Sequence, residues 1–242
     1  MTSKPSSLPP LTDQVALFLD FDGTLAPIQD DPETVALPEG GGDLLEALAH
    51  RLGGALVVIS GRDIRDLSKR VPHTLWRAGG HGLETCAPGE APGSEPPAGP
   101  VALAESLAEI VAEHPGTRLE PKGAVFAIHY RAAPHQGPSL QAALAPIAGE
   151  MEDYKLQSGK MVFELKPTAA NKGKALARIM ALPDFAGRTP IMVGDDTTDE
   201  DAMTVAAQLG GYGIKVGAGD TVAHHRVDAP EDVFAWLKEC AE

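Results

Sequence analysis

Only two of the 242 residues are cysteines, Cys86 and Cys240. They are too few and too distant for a disulfide scaffold or a structural zinc site. No stretch approaches the roughly 18 continuous apolar residues of a membrane-spanning helix. Basic residues are also scarce, 20 Lys+Arg against 34 Asp+Glu, for a formal net charge of -14. Phosphate backbones are held by Lys and Arg, so the acid excess argues against a nucleic-acid partner. Residues 1–10 lack the apolar run of a secretory signal and are expected to be a disordered lead-in. What remains is an acidic, globular, cytoplasmic protein, with a monomer as the simplest expectation. Its length suits one sizeable core, or a core plus a smaller domain.

Four short apolar runs stand out: Val15–Leu19, Ala55–Ile59, Pro190–Val193 and Gly213–Val216. They are continuous rather than alternating, as in strands buried on both faces of a parallel sheet. Helical patterns fall between them. Asp43 is placed to cap a helix carrying Leu44, Leu45, Leu48 and Leu52, and Ile64, Leu67 and Val71 recur at helical spacing. Strand alternating with helix predicts a doubly wound α/β core over residues 11–86 and 167–242, with function at the carboxyl ends of the strands.

The middle of the chain differs. Residues 87–100 hold five Pro and three Gly and predict a linker. Residues 101–166 then read helix–strand–strand twice: a small α+β domain with a four-stranded antiparallel sheet backed by two helices. Strand parity puts Phe126, Ile128, Tyr130, Met161, Phe163 and Leu165 on an apolar face. The opposite face carries Glu120, Lys122, His129, Arg131, Lys160 and Glu164. Antiparallel sheets commonly solvate one face, so that polar face alone carries no function.

Chemistry gathers at strand ends. The first run leads into Asp20-Phe21-Asp22-Gly23-Thr24, and the third into Val193-Gly194-Asp195-Asp196-Thr197-Thr198-Asp199-Glu200-Asp201, five acids in seven residues from Asp195. Carboxylates crowded at a strand end repel one another unless a cation or a proton intervenes. Helix capping accounts for Asp199 to Asp201 but not for Asp195–Asp196 directly after a buried strand. Oxygen-only ligands suit a hard cation such as magnesium. The second run ends in Ser60-Gly61-Arg62, a hydroxyl and backbone N–H groups at a helix start, which suits a phosphate.

DFDGT, the SGR segment, Asn171-Lys172-Gly173 and GDDTTDED, in this order, resemble the haloacid-dehalogenase superfamily of phosphotransferases. The resemblance spans about Val15 to Leu237. Leu119-Glu120-Pro121-Lys122, His129-Tyr130-Arg131 and the run from Gly159-Lys160 to Glu164 resemble the cap of trehalose-6-phosphate phosphatases, and Gly80-His81-Gly82-Leu83-Glu84 is typical of the same group. The resemblance implies that residues 101–166 form a cap over the doubly wound core and that the polar sheet face binds sugar. It implies Mg2+ held by Asp20, Asp195 and the backbone carbonyl of Asp22. Asp20 would attack phosphorus to form an aspartyl-phosphate, and Asp22 would serve as acid and then base. Ser60 and Lys172 would hold phosphoryl oxygens, while Asp196 and Asp199 act through water or by fixing Lys172. Thr24, Gly61, Arg62 and His81 are further candidate contacts. In the cap they are Glu120, Lys122, His129, Arg131, Lys160 and Glu164.

The implied activity is magnesium-dependent hydrolysis of trehalose 6-phosphate, with a small sugar phosphate as the partner. A sucrose-phosphate or mannosyl-phosphoglycerate type phosphatase shares the core motifs. A receiver-like domain also uses a phosphorylated Asp, an acidic metal site and a Lys. The DxD spacing and the inserted domain argue against it.

Overall fold

The computed structural model describes residues 8–29, 31–159 and 161–241; Lys160 and residues 1–7 of the expected lead-in lie outside them. The chain divides into two compact units. One takes the residues up to Pro92 and from Ala170 onward, and the other takes Gly93–Ala169.

The first unit contains β1 (Val15–Leu19), α1 (Gly41–Arg51), β2 (Leu56–Ile59), α2 (Ile64–Arg70), β3 (Trp76–Gly79) and β4 (Glu84–Cys86). The second contains α3 (Val101–Glu113), β5 (Arg118–Lys122), β6 (Val125–His129), α4 (Gly137–Glu150), β7 (Tyr154–Gly159) and β8 (Val162–Pro167). The first then resumes with α5 (Lys172–Met180), β9 (Thr189–Gly194), α6 (Thr197–Gln208), β10 (Tyr212–Val216), β11 (His225–Val227) and α7 (Pro230–Ala241). Residues 87–100 carry no helix or strand.

The large sheet runs β11-β10-β9-β1-β2-β3-β4, parallel except for the antiparallel edge strand β4. Period-two alternation along β1 explains the two layers. Val15, Leu17 and Leu19 face a cluster with Leu45 and Leu48 of α1 and Val233 and Leu237 of α7. Ala16 and Phe18 face Leu176 and Ile179 of α5 and Met203 of α6. Helices therefore cover both faces, as the continuous apolar runs require. β1 lies between β2 and β9, so Asp20, Ser60 and Asp195 follow the carboxyl ends of three adjacent parallel strands at the middle of the sheet.

The second unit is a β5-β6-β8-β7 antiparallel sheet whose apolar face, with Phe126, Ile128, Phe163 and Leu165, packs on Leu103 and Leu107 of α3 and Leu140 and Leu144 of α4. The observed fold class is the expected doubly wound core with an inserted α+β element.

Local expectations fail where turns intervene. Asp43 does not cap α1: Gly40, in the left-handed region at φ 72°, is the N-cap, and Asp43 sits in the first turn. Met161 leaves the apolar face, because the tight β7–β8 connection puts it at φ 63° with 39% exposure. Arg131 leaves the polar face, because β6 stops at His129 and the chain turns, Ala133 N–H donating to the Tyr130 carbonyl. β3, β4 and β11 are three or four residues long and have no marked apolar run, so their sequences carried no strand signal.

Candidate active site

A cleft of about 510 Å³ opens at the carboxyl ends of β1, β2 and β9. It is lined by Asp20, Asp22, Ser60, Gly61, Arg62, His81, Lys172, Asp195 and Asp196, with Ile28, Pro32 and Thr198 completing the wall. Every one of the first nine was expected from sequence. Thr24 is not among them: it is fully buried, and among the described residues its hydroxyl has no hydrogen-bond partner.

Asp20 continues the β1 ladder, its N–H donating to the Val193 carbonyl of β9, and is 4% exposed. Lys172, at the first turn of α5, donates from Nζ to Asp20 Oδ1 at 2.5 Å and to Asp199 Oδ1 at 2.6 Å. Asn171 caps that helix by accepting from Lys174 N–H; the Lys174 side chain is exposed, and Lys172 is the buried cation. Burial holds the Asp20 carboxyl well above the usual carboxylate range, against the lowering effect of Lys172. Burial alone would depress the Lys172 ammonium, yet the charges of Asp20 and Asp199 hold it above its ordinary value.

Asp195 follows β9 directly. Its carboxyl is pushed up to about 6, first by burial and then by the Asp199 charge. Asp196 caps α6 by accepting from Thr197 N–H at 2.6 Å, and Asp199 returns the bond by accepting from Asp196 N–H at 3.0 Å. That capping box leaves the other Asp199 oxygen for Lys172, so helix capping and cation placement use one residue. Gly194 and Gly23 make the close approach possible: a Cβ at Gly194 would overlap the Asp199 carboxyl, and one at Gly23, where φ is 80°, would overlap the Asp195 carboxylate.

Oxygen atoms of Asp20, Asp195 and Asp199 all lie within 4.8 Å of one another. Three acids in that space, two with carboxyls raised by burial and mutual repulsion, form an oxygen-only donor set that fits a hard divalent cation. The structure adds Asp199 to this cluster beside the expected Asp20 and Asp195.

Lys215 went unnoticed in the sequence. It is 4% exposed on β10 and donates from Nζ to the Asp195 carbonyl. A lysine inside a strand buried on both faces was the available signal.

The opposite wall comes from the turn after β2. Ser60 is 1% exposed, and its hydroxyl accepts from Arg62 N–H at 3.1 Å. The His81 N–H donates to the Ser60 carbonyl at 2.8 Å and the Gly80 N–H to the Arg62 carbonyl at 2.7 Å, which ties the Gly80-His81-Gly82 turn to this segment. His81 holds φ 57°, a left-handed conformation costly for a side-chain-bearing residue. Its ring lies against Gly61, where a Cβ would come within 2.7 Å.

In the second unit, Glu120, His129 and Glu164 share one face with Lys122. Register pairs Glu120 with Ala127, Ala127 with Glu164, and Glu164 with Gln157, which places Gln157 and Arg118 on the same polar face. His129 Nε2 lies 2.6 Å from Glu120 Oε2, with Arg118 at 3.5 Å and Lys122 at 3.9 Å from the same oxygen. The His129 hydrogen bond is the main cause holding the Glu120 carboxyl below its usual range.

Carboxylates, a buried lysine and a serine at adjacent strand ends are the equipment of phosphoryl transfer, and similarity to known proteins agrees. The trehalose-phosphatase family matches residues 18–233. A trehalose-6-phosphate phosphatase of Escherichia coli K12 is 37% identical over 241 residues, covering 98% of this chain and 91% of that protein. The structure of an Aspergillus fumigatus trehalose-6-phosphate phosphatase superposes with a TM-score of 0.73 at 25% identity, over 95% of this chain and 93% of that one. A haloacid dehalogenase-like hydrolase from Bacteroides thetaiotaomicron shares the fold, with a TM-score of 0.68 at 14% identity over 93% and 99% of the two chains. With its motif residues gathered in one cleft and residues 18–233 matched, this chain belongs to the trehalose-phosphatase family.

Proposed function

We propose that the protein hydrolyses trehalose 6-phosphate to trehalose and inorganic phosphate through a phosphorylated Asp20. The observation that carries the reading is the buried Asp20–Lys172–Asp199 group beside Asp195, at the floor of a cleft. A phosphate monoester is a dianion and would be repelled by these acids. Mg2+ held by Asp20, Asp195 and the Asp22 carbonyl, with Asp199 close by, would supply the positive charge that neutralises the site and orients the phosphoryl group.

Asp20 attacks phosphorus as the bond from phosphorus to the sugar oxygen breaks. Asp22 gives its proton to that oxygen, so trehalose leaves neutral. Asp22 then removes a proton from the water that attacks the phosphorylated Asp20, releasing phosphate and restoring the carboxylate. Lys172 and Ser60 hold phosphoryl oxygens, and Gly61 and His81 shape the wall against them. In the second unit, Glu120, Lys122, His129 and Glu164, which share the polar sheet face, read the sugar hydroxyls. We assign residues 101–166 the role of cap, with 87–100 as its linker. The buried, free Cys86 and Cys240 suit a reducing compartment, hence the cytoplasm. Among the described residues no helix is long and apolar enough to cross a membrane.

Phosphate release from trehalose 6-phosphate, sucrose 6-phosphate and mannosyl phosphoglycerate, each with Mg2+ and with chelator, tests the reading. Metal-dependent turnover with the highest kcat/KM on trehalose 6-phosphate supports it. Preference for another sugar phosphate overturns the substrate assignment.

A further inference from the structure

Arg62 does more than line the cleft. Its Nε and Nη2 donate to the two oxygens of Asp22 at 2.7 and 2.6 Å, Nη2 also to the Pro32 carbonyl at 2.9 Å, and Nη1 to Asp66 Oδ2 at 2.9 Å. The guanidinium carbon sits 5.6 Å from the centroid of the Phe21 ring, so its plane is fixed on every side. Asp66 lies in the first turn of α2 and does not line the cleft. The same carboxylate accepts from Arg70 at 2.8 Å, and Arg70 in turn donates to the Val35 carbonyl at 2.5 Å and the Glu33 carbonyl at 3.1 Å. Asp22, Arg62, Asp66 and Arg70 thus form a ladder of alternating charge from the cleft to the backbone of residues 33–35.

Isolated surface pairs at i,i+4 contribute little to stability, but a bidentate guanidinium fixes the plane of the carboxylate it holds. An ionised carboxylate has about four lone-pair sites, and the Arg62 fork uses one on each oxygen. Each oxygen keeps one further site, and in the acid form one of these carries the proton that Asp22 passes to the leaving oxygen.

We propose that Asp66 is a positioning residue for the reaction: it holds the Arg62 fork, and the fork aims Asp22 at the oxygen it must protonate. The inference rests on Asp22 serving as the acid and base. It assigns the Arg62 guanidinium to Asp22, where the sequence had suggested contact with substrate.

The test is a contrast of leaving groups. Trehalose leaves as a poor alkoxide and needs the proton, whereas para-nitrophenolate departs without one. Wild-type turnover of trehalose 6-phosphate checks the functional reading by itself. Asp66→Ala is then compared with wild type on both esters. With trehalose 6-phosphate, kcat should fall by about ten- to a hundredfold with KM unchanged within about twofold, a part of the full worth of an acid–base group. The initial burst of para-nitrophenolate, which reports phosphorylation of the enzyme alone, should keep its wild-type rate. Asp66→Asn retains an acceptor for both arginines without the charge, and should lie between the two if the alanine variant folds poorly. Equal losses in both assays, or full activity on trehalose 6-phosphate, would overturn the proposal.

Discussion

Lys172 Nζ lies 2.5 Å from Asp20 Oδ1, joining residues 152 positions apart in the chain inside a fully buried pocket floor. Neither charge is tolerable there alone. Lys172→Met would leave Asp20 and Asp199 as adjacent buried carboxylates without their cation. Breaking a buried pair by removing one partner costs about 3–5 kcal/mol. Thermal unfolding in chelator should show that loss, and saturating Mg2+ should recover part of it. Turnover should fall by at least about a hundredfold, because the phosphoryl group loses its fixed positive partner.

The metal-free protein should become less stable as pH rises from about 4 to about 6. Asp195 has a folded-state value of about 6 against an ordinary 3.8, so the native state retains a proton that the unfolded chain has already released. The burial-raised Asp20 acts in the same direction. Stability present below the unfolded value is therefore lost as pH rises through the folded one. Thermal midpoints in EDTA across that window should decline. Asp195→Asn or saturating Mg2+ should flatten the decline.

Gly23→Ala should abolish activity while the fold persists. Alanine is strained at φ 80°, and its methyl group would displace the Asp195 carboxylate. A change in the Mg2+-induced shift of the thermal midpoint would show the loss at the acidic cluster independently of turnover.

Glu164→Ala should reduce turnover of trehalose 6-phosphate far more than that of para-nitrophenyl phosphate. Glu164 sits at the centre of the polar sheet face, between Ala127 and Gln157, and its proposed task is to hold sugar hydroxyls rather than phosphate. Comparing kcat/KM for both esters separates recognition from chemistry. Equal losses would contradict the sugar-reading role.

Much of the core is legible in the sequence, because strands buried on both faces are continuous apolar runs and the acids follow them without a break. Asp20, Ser60 and Asp195 were legible for that reason. Short edge strands were not: β11 and β4 contain His225, Arg226, Glu84 and Thr85, side chains suited to a sheet margin rather than a core. Parity gave the right faces for Phe126 and Phe163 and failed for Met161 and Arg131, which sit where the strands have already ended. Asp66 and Arg70 belong to no motif in the sequence. Their link to Asp22 depends on how the segment at residues 31–35 folds back onto α2, and no local pattern encodes that. Lys166 follows Glu164 by two positions on β8, where alternation puts both on one face, yet Lys166 is 2% exposed. Alternation assigns a side chain to a face but not its depth.

The central claim is covalent transfer to Asp20. Wild-type protein turning over trehalose 6-phosphate labelled in its phosphoryl group, quenched in acid and digested, should carry the label on the peptide that contains Asp20. The Asp20→Asn variant should carry none and release no phosphate, while unfolding cooperatively like the wild type. A wild-type chain that hydrolyses the ester with no labelled peptide, or with the label elsewhere, would contradict the account.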